Sequence, residues 1–161
     1  MLGAVLAVPA LGATTGSANV LKVFARQLPA VKKKTTVPIL LPASLPFADK
    51  VPKLYATGAG SKNAWALVLT GAPNCNGANA CFLASFEGRR GGKLPGKSNL
   101  KLAGGQPAYF KDVTCGASCS PANLWFVDKG VLYTWQHKDA PRNTESVLAR
   151  LAAQAIKAGP R

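Results

Sequence analysis

The chain of 161 residues carries 20 lysine and arginine residues against six acidic residues, which gives a formal net charge of +14. This length argues for one domain rather than several, and an apolar content of 48% is ordinary for a globular chain. The charge favours an anionic partner, namely an anionic polymer, an acidic membrane surface or an acidic protein, although a charge that serves only solubility is the other interpretation.

Residues 1–18 carry no charge and begin with an apolar run from Met1 to Leu11. Small residues follow, with candidate cleavage sites after Ala13 and Ala18, as in a secretory signal peptide. The run is well short of the ~20 residues that span a membrane. We therefore expect a signal peptide, whose missing basic start places the true translation start upstream. The mature protein is expected to be exported, periplasmic or extracellular, without a transmembrane anchor.

A single domain is predicted over residues 19–161, and it begins with an amphipathic helix over Asn19–Lys34. Asn19 is a suitable N-cap, the apolar residues recur at helical spacing, and Pro29 breaks or kinks the helix. Its basic end is a candidate contact for phosphate or lipid, and a solvated end favoured by the helix dipole is the other interpretation. The residues concerned are Lys32, Lys33 and Lys34.

Residues 35–52 contain four prolines, which forbid a helix through the segment. We expect extended chain laid across a hydrophobic surface. The residues predicted to point inward are Ile39, Leu40, Leu41 and Leu45.

The middle of the chain predicts antiparallel strands, because β-branched and aromatic runs alternate with glycine-rich turns. Residues 88–105 are predicted to form a loop. The expected strands are Lys53–Thr57, Ala64–Thr70, Ala80–Glu87 and Gln106–Val113.

Four cysteines form two close pairs, Cys75 with Cys81 and Cys115 with Cys119. An even count with a secretion signal favours disulfides, whereas zinc usually takes closer cysteine pairs and more histidine. Four cysteines allow three connectivities, and we favour local pairing because each pair brackets a loop of small residues. Each short loop would add about 2 kcal/mol and a cross-pairing about 4 kcal/mol, so stability does not decide between them.

Leu124–His137 is predicted to be a β-hairpin, because aromatic and β-branched residues run up to Asp128-Lys129-Gly130 and resume after it. Gly130 can take the positive φ of a three-residue turn with a bulge. That turn pairs Val127 with Val131.

In the same register Trp125 pairs with Tyr133, and Trp135 shares their face, while Phe126 and Leu132 occupy the other. If the first face is exposed, it is a stacking platform for sugars or bases, helped by nearby cations. If it is buried, it is the core beneath a helix.

Residues 140–160 predict a second helix, capped by Asn143 or Thr144, with Glu145 in the first turn where the dipole favours an acid. An apolar stripe follows, and Gly159 ends the helix. Such a helix covers one face of an antiparallel sheet. We therefore predict an α+β fold with a single antiparallel sheet of about five to seven strands, an N-terminal and a C-terminal helix, and two disulfides.

The order of these parts resembles that of small exported bacterial domains of unknown function. The matching residues are the proline-punctuated Val37-Pro38-Ile39-Leu40-Leu41-Pro42 with Leu45-Pro46, and the hairpin residues Gly130–Tyr133. The resemblance spans most of the mature chain and implies an antiparallel sheet closed by a C-terminal helix. It carries over no functional residues, and the two cysteine loops have no place in it.

Residues 91–98, GGKLPGKS, match the P-loop pattern, in which Lys97 would bind phosphates and Ser98 magnesium. A P-loop must open a helix, whereas two glycines and a proline follow Ser98 closely. We therefore predict no nucleotide site and expect no cofactor.

The same loop is rich in glycine and holds no acid between residues 89 and 101. This composition suits contact with a polyanion that weakens with salt and does not read a nucleic-acid sequence. A solvated loop between strands is the other interpretation. The candidate anion-binding residues here are Arg89, Arg90, Lys93, Lys97 and Lys101.

The sequence offers few residues that could act in catalysis. His137 is the single histidine, and Asp139 lies two residues away. The acids are scattered, and no spacing marks an acid/base pair. We expect no catalytic residue and no metal site, and interpret His137 as an ordinary residue at a strand end.

Three functions remain open. The first is a secreted or periplasmic non-enzymatic module that binds an anionic envelope partner or polymer. The second is a protein-interaction module, an inhibitor or accessory envelope subunit, that uses a disulfide-clamped loop. The third is an enzyme built around His137.

Overall fold

The computed structural model describes residues 16–75, 79–138 and 140–161. Most of the predicted signal peptide therefore lies outside the described residues. The helices are Val20–Val23 (α1), Leu28–Lys34 (α2) and Thr144–Ala158 (α3). The strands are Ser17–Asn19 (β1), Ser44–Pro46 (β2), Tyr55–Ser61 (β3), Ala64–Thr70 (β4), Phe82–Arg90 (β5), Leu100–Lys101 (β6), Pro107–Lys111 (β7), Thr114–Cys115 (β8), Cys119–Ser120 (β9), Ala122–Asp128 (β10) and Val131–His137 (β11).

Seven strands form one antiparallel sheet in the order β3-β4-β5-β11-β10-β7-β6. The pairs β1–β2 and β8–β9 form two small sheets. The predicted α+β fold with a single main antiparallel sheet and a C-terminal helix is confirmed. The predicted loop from residue 88 is wrong at its start, since β5 stays paired with β4 and β11 as far as Arg89 and Arg90. β3 begins at Tyr55 and runs on to Ser61, so it replaces the predicted strand Lys53–Thr57.

The predicted helix over Asn19–Lys34 is two short helices. Asn19 caps α1 as expected, and its Oδ1 accepts a hydrogen bond of 2.9 Å from the backbone N–H of Lys22. Pro29 lies in the first turn of α2. A proline is tolerated there because the N–H that it lacks would have no partner within the helix. Pro29 thus begins a helix, and the expectation that it interrupts one is corrected.

β1 belongs to the folded unit although it overlaps the predicted signal peptide. Ala18 pairs with Leu45 of β2 and is buried, and the N–H of Gly16 donates to the carbonyl oxygen of Asp49 at 2.9 Å. Cleavage after Ala13 would leave this strand on the chain, whereas cleavage after Ala18 would divide it.

The proline-rich segment lies extended over one face of the sheet, as expected. Ile39, Leu40, Leu41 and Leu45 are all buried. The carbonyl oxygen of Pro38 accepts two hydrogen bonds from that face, from Trp65 Nε1 at 3.1 Å and from Tyr133 Oη at 3.0 Å. The segment is therefore fixed to the sheet by polar as well as apolar contacts.

The hairpin of β10 and β11 forms, but its predicted register is wrong by one residue. Lys129 and Gly130 both have positive φ, 47° and 77°, so the turn has two residues and Asp128 pairs with Val131. Positive φ at both central positions is the geometry that matches strand twist in a two-residue hairpin. A shift of one residue places the side chains of one strand on the opposite face of the sheet relative to those of its partner.

The corrected register separates the three aromatics that were predicted to share a face. Phe126 pairs with Tyr133, and Trp125 pairs with Thr134. Tyr133 and Trp135 are buried, with 1% and 0% of their surface exposed, whereas Trp125 lies on the other face and is half-buried. Leu132, expected to share a face with Phe126, lies on the face of Trp125.

The covered face of the sheet holds the core. Phe86, Phe126, Tyr133 and Trp135 pack there ring against ring, and the apolar stripe of α3 closes over β10. The buried residues of that stripe are Leu148, Leu151, Ala152 and Ala155. We call the opposite side, which carries Trp125, Thr134 and the other residues that alternate with the core, the open face.

Both disulfides pair locally, Cys75 with Cys81 and Cys115 with Cys119, as favoured from the sequence. They lie in the connections β4–β5 and β7–β10, which leave the same end of the sheet. The bonds are compatible with an exported protein. None of the described helices is long and apolar enough to cross a membrane.

Candidate binding site on the open face of the sheet

A strap formed by residues 91–99 crosses the open face from β5 to the distant edge strand β6. Because β11, β10 and β7 lie between these strands, the strap must pass over all three. Gly92 lies against Leu132 of β11, where a Cβ would be 2.6 Å from the Leu132 Cβ. Gly96 lies against Tyr109 of β7, where a Cβ would be 3.2 Å from the ring. Gly92 and Gly96 thus allow the strap to approach the sheet closely.

The P-loop interpretation fails in the structure as it failed in the sequence. Ser98 Oγ lies 2.9 Å from the carbonyl oxygens of both Leu100 and Ala108, and its single O–H can donate to either one. The chain then enters the strand β6 rather than a helix. Because this loop does not open a helix, the arrangement that holds phosphates in a P-loop does not form.

The strap forms one wall of a groove of about 760 Å³ on the open face. Small residues form the opposite side, which is contributed by β3 and β4: Ala59, Ser61, Ala64 and Ala66. Lys93 and Pro95 come from the strap, and Trp125 comes from β10. The groove exists because bulky side chains and the strap rise beside strands whose outward residues are small.

Trp125 is held in position by its neighbour on the next strand. It pairs with Tyr109 of β7, and the two ring centroids are 5.6 Å apart at an angle of 51°. Because Tyr109 is itself covered by Gly96 of the strap, the indole has a supported side and a side that lines the groove.

A chain of hydrogen bonds runs across three strands in the floor of the groove. Ser85 Oγ donates to Gln136 Oε1 at 3.0 Å, and Gln136 Nε2 donates to Asn123 Oδ1 at 2.7 Å. Asn123 Nδ2 donates to the carbonyl oxygen of Pro121 at 2.8 Å. This chain fixes the orientation of both amides, and each amide nitrogen carries a second N–H beyond the one used.

Glu87 and Arg89 point into the groove from alternate positions of β5. Partial loss of hydration among the neighbouring strands raises the pKa of the Glu87 carboxyl above its usual value, and the Arg89 guanidinium opposes this rise. Lys93 faces them from the strap. The groove therefore combines two cations with one carboxyl that holds its proton more strongly than an ordinary glutamate.

Cations from distant segments of the chain also come together at one end of the sheet. The β3–β4 turn, the β10–β11 turn and the start of the strap meet at this end. The backbone N–H of Arg90 donates to the carbonyl oxygen of Asn63 at 3.0 Å, and the backbone N–H of Gly91 donates to the carbonyl oxygen of Gly130 at 2.9 Å. The three turns therefore lie side by side. We call this the basic end, and its turns bring Lys62 and Lys129 close to the strand-end arginines.

The end of α2 joins the basic end from the covered side. A Cβ at Gly60 would lie 3.3 Å from the Lys34 Cβ, and Arg90 Nη2 donates to the carbonyl oxygen of Thr36 at 3.0 Å. Lys101 pairs with Pro107 at the far edge of the same end. The structure thus places four of the residues predicted to bind anions at one end of the sheet: Lys34, Arg89, Arg90 and Lys101. Lys32 and Lys33 precede Lys34 on α2, and Lys93 and Lys97 belong to the strap.

Arg89 and Arg90 face opposite ways, which the predicted loop did not anticipate. Arg89 lines the groove on the open face, whereas Arg90 reaches Thr36 on the covered side. The strand geometry causes this split, because successive side chains of a strand point to opposite faces.

His137 lies in the core. None of its surface is exposed, its Nε2 is 2.6 Å from the carbonyl oxygen of Pro46, and its ring meets the Phe47 ring edge to face at 5.4 Å. The imidazole is therefore closed to solvent in this structure. Asp139 lies outside the described residues. Among the residues that the structure describes, no group of three or more His, Cys, Asp or Glu side chains is placed to hold a metal ion.

The sequence missed most of the groove. Asn123, Gln136 and Ser85 carry no motif, and they come together only through the order of β10, β11 and β5. Trp125 was singled out, but it was wrongly grouped on one face with Tyr133 and Trp135. The usable signal was Lys129-Gly130, since a two-residue turn there would have placed Trp125 outside.

Comparisons with protein-family models, with curated proteins and with solved structures found no match to this chain.

Proposed function

We propose that this protein is an exported, non-enzymatic module that binds an anionic polymer of the cell envelope through the basic end of its sheet. The observation that carries the proposal is the contact between two basic segments far apart in the chain. Arg90 donates to the carbonyl oxygen of Thr36, two residues after Lys34. Clustered cations raise the local potential and attract polyanions.

The acids lie mostly elsewhere. Asp112 follows β7 at the disulfide end, and Glu145 lies in the first turn of α3. Asp128 lies at the basic end, where it pairs with Val131 beside the β10–β11 turn, and Glu87 lies in the adjoining groove. The cations of the basic end therefore outnumber the acids beside them, which favours a polyanion laid along that end.

Retention on a heparin column tests the proposal. The test variant is Lys33→Gln/Lys62→Gln/Lys97→Gln, with three exposed lysines of α2, the β3–β4 turn and the strap replaced. The matched control is Lys22→Gln/Lys111→Gln/Lys157→Gln, which loses the same charge at exposed positions elsewhere. We expect the test variant to elute at clearly lower salt than the control, because each lost contact releases fewer counterions and so weakens binding to the polyanion. Equal elution of the two variants would contradict the proposal.

A protein-interaction role is the second candidate. The β8–β9 hairpin, closed by Cys115–Cys119, is exposed over its whole length, and the other disulfide loop leaves the same end of the sheet. A partner protein bound there would be lost on reduction, while heparin retention would persist. A partner retained equally by oxidised and reduced protein would count against this role.

A further inference from the structure

The groove on the open face has the features of a site for sugar rings as well as for charge. Resting on the proposed binding of an anionic polymer, we infer that the groove binds an acidic polysaccharide, with Trp125 stacking on a sugar ring and Arg89 and Lys93 binding its acidic groups. The basic end alone does not select a polysaccharide, because lysines on turns attract any polyanion.

The first observation that supports a sugar site is the aromatic wall formed by Trp125. An indole presents a broad apolar surface, which suits the C–H face of a sugar ring. Tyr109 supports Trp125 from the side of β7, with centroids 5.6 Å apart, and so fixes the ring that meets the ligand. A supported ring loses little conformational freedom when it binds.

The second support is the polar floor. Asn123 and Gln136 line the groove with their amides held by the hydrogen bonds to Pro121 and Ser85. Fixed amides offer donors and acceptors in set directions, and sugar hydroxyls need both. Groups that are already oriented bind with a smaller entropy loss than mobile ones.

The third support is the charge pattern. Arg89 and Lys93 favour an anion, yet Glu87 lies among them in the same groove. A nucleic acid strand brings one phosphate with each nucleotide, which Glu87 would repel. An acidic polysaccharide such as oligogalacturonate also carries a charge on each residue, but it presents free hydroxyls beside each charge, and a carboxyl can accept hydrogen bonds from those hydroxyls. This difference favours the polysaccharide.

Calorimetry with oligogalacturonate, its methyl ester, single-stranded oligothymidylate and inorganic polyphosphate tests the inference. The variant is Trp125→Leu. The control is Tyr55→Leu, which also removes a half-buried aromatic ring. Tyr55 lies on β3, at the disulfide end of the sheet and away from the groove. Circular dichroism before titration checks that both variants keep the native sheet.

We expect Trp125→Leu to lose about tenfold in affinity for oligogalacturonate, the scale of one stacking contact, and to keep its polyphosphate affinity. Tyr55→Leu should match the wild type, and the methyl ester should bind more weakly than the free acid. Unchanged oligogalacturonate affinity in Trp125→Leu, or no binding of that ligand by the wild type, would overturn the sugar site. A larger loss for oligothymidylate would overturn it in favour of single-stranded nucleic acid. Failure of the wild type to bind polyphosphate would instead contradict the basic-end proposal.

Discussion

Phe126 lies directly opposite Tyr133 across the β10–β11 hairpin, and their rings stack with centroids 5.2 Å apart. This pair fixes which residues of both strands enter the core. Because Phe126 points into the core, its neighbour Trp125 must point to the open face. This is the consequence of the pair for function. The register of one hairpin thus supplies the aromatic wall of the groove.

The turn of this hairpin makes the first prediction. Lys129 has a φ of 47°, a conformation that costs a residue other than glycine about 1 kcal/mol. Asparagine tolerates it better and creates the Asn-Gly sequence that two-residue turns favour. Lys129→Asn should therefore raise the free energy of unfolding by about 0.5–1 kcal/mol, measured by urea denaturation.

Lys62 provides the control for that turn. It lies in the β3–β4 turn, and the described residues other than glycine with positive φ are Lys129 and Asn143. Lys62→Asn should change stability little. A three-residue turn at Asp128-Lys129-Gly130 would be supported instead if both variants had the same small effect.

Tyr133 makes the second prediction, through its hydrogen bond to Pro38. Tyr133→Phe should lower the free energy of unfolding by about 1 kcal/mol at neutral pH. The loss is limited because Trp65 still donates to the same carbonyl oxygen at 3.1 Å.

Burial raises the pKa of Tyr133 from 10.0 to about 12. Between these values the unfolded chain releases the proton and the folded chain keeps it, so the stability that this group contributes falls as pH rises. The advantage of the wild type over Tyr133→Phe should therefore shrink from pH 10 to pH 12. A constant difference between their urea midpoints over that range would show that the hydroxyl is not buried as described.

Glu87 makes the third prediction, on the pH dependence of binding. Its pKa is raised, so on acidification it takes up a proton before an ordinary glutamate does. Its partners across the strands, Ala66 and Thr134, carry no charge, and Arg89 and Lys93 are the cations beside it. Loss of its negative charge should strengthen binding of an anion in the groove.

Dextran sulfate suits this measurement because its sulfate groups do not titrate in the range. Wild-type affinity should rise as pH falls from 7 toward 5, while Glu87→Gln should bind more tightly at pH 7 and vary less with pH. Glu145→Gln changes the net charge equally, on α3, and should behave like the wild type. Identical pH profiles for wild type and Glu87→Gln would remove Glu87 from the groove's chemistry.

The strap makes the fourth prediction. A Cβ at Gly92 would lie 2.6 Å from the Leu132 Cβ, so Gly92→Ala must push the strap off the sheet. Such overpacking costs about 1–3 kcal/mol and should also weaken binding, since the strap carries Lys93. At Gly116 a Cβ meets nothing within 4 Å, so Gly116→Ala should be nearly neutral in thermal melts. Equal melting temperatures for the two variants would place the strap away from β11.

Local patterns predicted the elements well and the relations between them poorly. The strand Ala64–Thr70, the inward leucines of the proline-rich segment and the stripe of α3 follow from periodicity, which the chain itself carries. The hairpin register does not, because Lys129 accepts an unfavourable φ that strand pairing with β5 and β7 outweighs. The groove follows from strand order, since Ser85, Asn123 and Gln136 meet only when β5, β11 and β10 are neighbours.

A titration of the isotope-labelled protein with oligogalacturonate, followed by NMR, tests the central claim most directly. We predict that the largest shifts fall on the indole N–H of Trp125, the side-chain amide of Gln136 and the backbone amides of Arg89 and Lys93, while Gly116 and Ser118 stay unmoved. Shifts concentrated on the β8–β9 hairpin, with the Trp125 indole unchanged, would contradict the account.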